Sequence, residues 1–106
     1  MTTFDDKEKV AENKYAHDKE TQFIIHARAH KLLGLWAAGK MGLSGSAAEE
    51  YANTVVVADL NPTAHHHAFE KVRNDLLARE VHVTDHDIKA EMHRLEHVAR
   101  EQIAGN

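Results

Sequence analysis

Leu32-Leu33-Gly34-Leu35-Trp36-Ala37-Ala38 decides the fold. Seven successive residues carry no polar side chain, so a helix through them is apolar nearly all round, which is the pattern of an element enclosed by others. Working outward, periodicity predicts a helix from Lys19 to Met41, with Asp18 as its N-cap, Gly42 as its stop, and Phe23, Ala27, Leu32, Leu35, Trp36 and Met41 among its buried side chains. The segment before this helix has another character. Met1 to Asp18 carries Asp5, Asp6, Lys7, Glu8, Lys9, Glu12, Lys14 and Asp18 around Phe4, Val10, Ala11 and Tyr15, too few apolar groups to bury a helix alone. A polar arm on a compact body suggests an arm that finds its packing partner on another molecule. The chain therefore divides into a mobile arm over residues 1–18 and a helical body over 19–106.

Three further helices follow. Ser46 and Glu49 have the spacing of a capping box, and the inward face behind them runs through Ala48, Tyr51, Ala52, Val55, Val56 and Asp59. Val55 to Val57 read as a strand on propensity alone, but the surrounding period is helical. Asn61-Pro62 ends this helix, because proline disfavours the helical region for the residue before it. Thr63 can cap the next helix, whose stripe is Phe69, Val72, Leu76 and Leu77 up to about Arg79. Thr84 with Asp87 makes a capping-box-like start for the last, with Ile88, Met92, Leu95, Ala99 and Ile103 as a narrow seam.

Composition agrees with an all-α class. One Pro and five Gly in 106 residues favour long helices over a turn-rich β fold, and the length suits one domain with one modest core. The expected architecture is a four-helix bundle-like body. A net charge of -4 opposes a broad basic surface, so nucleic acid is not an expected partner. The absence of cysteine removes disulfides and thiolate metal sites and is consistent with a reducing interior. The N-terminus lacks the basic start and apolar core of a secretory signal, and seven apolar residues fall well short of the roughly 20 that span a bilayer. A cytoplasmic location without direct membrane insertion is expected.

Ten histidines are unusual in a chain of this size, and three pairs stand four apart: His26 with His30, His82 with His86, His93 with His97. On a helix that spacing puts two imidazoles on one face, which can chelate an adventitious metal but leaves a physiological site short of ligands. No metal site is assigned. His93-Arg94-Leu95-Glu96-His97 matches the H-x-x-E-H pattern of inverted zinc peptidases, yet Leu95 belongs to the core stripe and no third ligand is evident. No Gly-rich phosphate loop, G-x-S-x-G elbow or Cys nucleophile is present, so no catalytic residue is assigned and the protein is not expected to be an enzyme. Titration is a better use of these side chains, since protonating all ten moves the formal charge from -4 to +6.

Thr2-Thr3-Phe4-Asp5-Asp6, Lys14-Tyr15-Ala16-His17-Asp18 and Leu33 to Ala38 resemble signature stretches of the ATPase inhibitor subunit zeta of alphaproteobacterial ATP synthases. Tyr51-Ala52-Asn53-Thr54-Val55-Val56, Ala58-Asp59, and Lys71 through Asp75-Leu76 continue the likeness in the same order. The resemblance implies a four-helix body whose N-terminal arm folds as a helix inside the catalytic head of the F-type ATP synthase and blocks rotation in the hydrolysing direction. It places the protein at the inner membrane only peripherally, through the synthase. It assigns Phe4, Asp5, Asp6, Lys7, Glu8, Lys9, Val10, Ala11, Glu12, Asn13, Lys14 and Tyr15 to the partner-binding arm, with His17 and Asp18 as the hinge. No resident cofactor is implied; weak adenine-nucleotide binding by the body is allowed, without assignable residues.

The arm's chemistry suits that role. Phe4, Ala11 and Tyr15, at spacings of seven and four, fall on one helical face, and Val10 adds a further anchor. Asp5 and Lys9 form an acid-before-base pair worth about 0.3 to 0.5 kcal/mol, too little to offset helix nucleation, so folding on binding is expected. The chain also departs from the family pattern. Ala11 stands where members often have Phe, and Lys7 where they often have Arg, while Ile24-Ile25, His30 and Asn61 to His67 replace more polar or acidic stretches. The last three are expected to alter the surface more than the core. The alternative reading is a soluble helical binding module, for a nucleotide or a metal, in which the arm has no inhibitory role.

Overall fold

The computed structural model describes residues 19–60 and 67–104. They form four helices, α1 Lys19–Lys40, α2 Gly45–Asp59, α3 His67–Ala78 and α4 Asp85–Ala104, and no strand occurs among the described residues. The three consecutive valines lie within α2.

The seven-residue run is enclosed as its composition requires. Leu33, Gly34, Ala37 and Ala38 are buried, while Leu32, Leu35 and Trp36 are half-buried. Around it, α1 packs most extensively on α2 and α4 and also touches α3, so it is the central element. One core cluster joins Leu33 and Ala37 to Val55, Phe69, Val72, Leu76, Ile88 and Leu95. A smaller one joins Ile25 and Ala29 to Ala99, with Ile103 against it.

The register of α1 differs from the expected one. Its buried stripe is Ile25, Ala29, Leu33 and Ala37, whereas Phe23 is 57% exposed and Ala27 and Met41 are only half-buried. Small side chains decide this: Ala29, Gly34, Ala37 and Ala38 let neighbouring helices come close, and the bulky Phe23 is left on the far side. Ile25, expected at the surface, is fully buried, and His30 is largely covered.

Helix ends follow local chemistry with two corrections. α1 closes in a Schellman motif: Gly42 has φ 81°, its amide donates to the Gly39 carbonyl at 3.1 Å, and the Leu43 amide donates to Ala38 at 2.8 Å. α2 begins earlier than the predicted capping box, with Ser44 as N-cap and no side-chain cap. The Ala48 amide already reaches the Ser44 carbonyl, so Ser46 sits inside the first turn, past the capping position. α3 buries Ala68, Phe69, Val72 and Leu76, but Leu77 is 58% exposed because Leu76, four after Val72, takes the core position and turns its neighbour outward. α4 has its predicted start: the Asp87 amide donates to Thr84 Oγ1 at 3.0 Å and the Thr84 amide to Asp87 Oδ2 at 3.4 Å. Its seam buries Ile88, Leu95 and Ala99 and half-buries Met92 and Ile103. The expected cap at Asp18, the Asn61-Pro62 stop and the Thr63 cap lie outside the described residues.

Candidate functional site

The arm residues Phe4 to Tyr15 and the hinge residues His17 and Asp18 lie outside the described residues, so the body supplies the site geometry. The body holds a cavity of about 260 Å³ between α1, α3 and α4. The floor is apolar, from Ala29, Leu33, Phe69 and Met92, and the rim carries His26, His30, Lys89, His93 and Glu96. Lys89 Nζ stands 5.2 Å from the Phe69 ring centroid, a cation over an aromatic face.

The histidine pair on α1 links three helices. His30 Nδ1 lies 3.1 Å from Asp59 Oδ2 on α2, and His26 Nε2 lies 3.7 Å from Glu96 Oε1 on α4. The two rings are 6.4 Å apart at their centroids. Burial pushes the His30 imidazole below the ordinary histidine range; Asp59 opposes this, His26 adds to it, and Glu96 opposes it weakly. Burial therefore outweighs the carboxylate, and the ring beside Asp59 is neutral near pH 7. Sequence spacing locates His26 and His30. It cannot locate Glu96, Lys89 and Met92, which tertiary packing brings from α4.

The other histidine pairs fare differently. His82 lies in the irregular segment before α4, so it does not share a helical face with His86. His93 and His97 are both on α4, where His97 Nε2 pairs with Glu101 at 3.0 Å. No group of three or more His, Asp or Glu side chains among the described residues can hold a metal ion, and the H-x-x-E-H segment presents no third ligand there.

Residues that carried the family likeness have structural work in the body. Tyr51 donates its hydroxyl to Asp75 Oδ2 at 2.8 Å, joining α2 to α3, and Lys71 Nζ reaches the same oxygen at 3.1 Å while standing 5.5 Å from the Tyr51 ring centroid. Burial and the adjacent carboxylate push the Tyr51 phenol well above its usual range, so it remains a donor at any ordinary pH. Ala52 packs directly against Gly34, where α1 and α2 come close together. No helix among the described residues is long and apolar enough to cross a membrane.

No curated protein matches the chain. The family model described as ATPase inhibitor subunit zeta does match, over residues 1–102, taking in the arm sequence, the α1–α2 contact, the Tyr51–Asp75 link and nearly all of α4. This protein belongs to the ATPase inhibitor subunit zeta family, whose members are regulatory subunits and not enzymes.

Proposed function

We propose that this protein restrains ATP hydrolysis by its cognate F-type ATP synthase by inserting residues 1–18 as a helix into the catalytic head, with the body held outside. The observation that carries this reading is the reach of the family match, which starts at residue 1 and so includes the arm sequence with its apolar anchors. Phe4, Val10, Ala11 and Tyr15 are the side chains that fill apolar pockets, and Asp5, Asp6, Lys7, Glu8, Lys9, Glu12, Asn13 and Lys14 find polar partners in the cleft. His17 and Asp18 form the hinge before Lys19, where α1 begins. The protein then sits peripherally at the inner membrane through the synthase.

A second reading, a binding module, draws support from the cavity bounded by His26, His30 and Lys89. At about 260 Å³ it lies below the roughly 300 Å³ at which ligand pockets usually begin, so a nucleotide would be only partly enclosed, in keeping with weak binding. The inhibitor reading accounts for more of the chain.

The test is ATP hydrolysis by the cognate soluble head with and without this protein. Inhibition is expected with the native chain, and it should vanish on deletion of Met1 to Lys14 or on Glu8→Pro, which removes a helix hydrogen bond and clashes with the preceding turn. Full inhibition by either variant would sink the inserted-arm mechanism. Ala11→Phe is expected to tighten inhibition about fivefold, on the scale of about 1 kcal/mol for added apolar burial. No inhibition by the native chain at saturating concentration would favour the binding module.

A further inference from the structure

Large apolar side chains gather on one outer edge of the body. Phe23 and Ile24 on α1 and Leu60 at the end of α2 are each more than half exposed. Two adjoining depressions of about 370 and 170 Å³ run between α1 and α2 there, sharing Phe23, Ala27 and Val56. Arg28 stands on the wall of the larger one and has no ion-pair partner among the described residues.

We infer that this groove is a resting berth for the protein's own arm, taking residues 4–15 when no synthase is engaged. Reach favours it. Phe23 lies only four residues beyond Lys19, so a reversal over Ala16 to Asp18 sets Tyr15 beside the groove's near end. Phe4 to Tyr15 covers about 16 Å as a helix, against about 12 Å of α1 from Phe23 to Lys31. Chemistry favours it as well. Residues 4–15 carry four carboxylates against three lysines, and Arg28 offers a cation with no ion-pair partner among the described residues, beside an apolar surface suited to Phe4, Ala11 and Tyr15. Tethering supplies an effective concentration in the millimolar range, so weak contacts suffice to hold it.

The docking itself is independent of inhibition; only its effect on potency rests on the function proposed above. A berthed arm lowers the fraction competent to insert, and the apparent affinity for the synthase falls in proportion. Groove substitutions that free the arm therefore strengthen inhibition.

The chain has no cysteine, so Thr3→Cys gives a unique position for a spin label on the full-length protein. Paramagnetic broadening of backbone amides is expected in Phe23 to Lys31 and Asn53 to Leu60. It should be lost in Phe23→Ser/Ile24→Ser and reduced in Arg28→Glu, all substitutions at exposed positions. Broadening confined to the residues next to the arm, or unchanged by these substitutions, overturns the berth. Broadening between chains, seen on mixing spin-labelled with isotope-labelled protein, assigns the groove to a second copy and also overturns it. In the hydrolysis assay Phe23→Ser/Ile24→Ser should inhibit at least twofold more tightly. Weaker inhibition without broadening in the parent assigns the groove to the synthase and overturns the berth. Intramolecular broadening alongside no inhibition by any variant supports the berth and removes the inhibitor function instead.

Discussion

A methyl group added to Gly34 has nowhere to go. Its Cβ would lie 2.6 Å from Ala52 Cα and 3.0 Å from Ala52 Cβ, and a backbone atom on the facing helix cannot swing aside. Gly34→Ala should therefore cost about 1 to 3 kcal/mol by forcing α1 and α2 apart, lowering the thermal midpoint by several degrees. Gly39, on the same helix, is the control. Nothing lies within 4 Å of where a methyl group at Gly39 would stand, so Gly39→Ala should stabilise by about 0.5 kcal/mol through helix propensity alone. Equal shifts of the two midpoints in one melting experiment would show that the close contact is unimportant. Sequence reading places Gly34 within a buried run but cannot say what it touches, because the identity of the facing residue depends on how two helices cross. Phe23 shows the converse. Hydrophobicity predicts its burial, and the small residues on the opposite face draw the neighbouring helices there instead.

At the level of the helix, two Schellman closures of the same form differ in the residue at their left-handed position. α1 uses Gly42, which sequence reading identifies; α3 uses Glu80 at φ 59°, with its amide donating to Leu77 at 3.0 Å and the Val81 amide to Leu76 at 2.9 Å. Glu80→Gly should relieve the Cβ clash and stabilise the body by about 0.5 to 1 kcal/mol, measured by denaturant unfolding. A destabilised variant would show that the glutamate side chain has a hidden partner. Caps made within four residues, such as Thr84 with Asp87, are legible locally; the Ser46 box is not, because the chain leaving Gly42 starts α2 early. Among these helix contacts, His30 makes the body sensitive to pH. His30 is held below its ordinary range, so the unfolded chain takes up a proton first as pH falls through about 6.5, and this residue's contribution to stability is lost below that point. The native midpoint should fall more steeply between pH 7 and pH 5 than that of His30→Asn, which keeps an amide donor for Asp59. A steeper fall in the variant would mean that Asp59, together with Glu96, holds a protonated ring against burial and His26.

For the molecule as a whole, the stripes of the four described helices bury one another, so a chain beginning at Lys19 should retain its helical circular dichroism and melt cooperatively. Loss of cooperative melting would make residues 1–18 part of the core. The all-α class and the four elements are legible because apolar periodicity is a local record of burial. The cavity is not, since its rim comes from α1 and α4, segments more than fifty positions apart in the chain. The central place of α1 has a mechanical consequence. Residue 18 precedes Lys19 in the chain, so a load on the arm enters the body through the helix that packs most extensively on its neighbours. Such a pull shears the α1–α2 and α1–α4 contacts side by side, where a load on the last helix would peel its turns in succession. Under the inserted-arm mechanism proposed above, such a tether would resist load through many contacts at once, and its rupture rate, not its equilibrium stability, would set how long it holds.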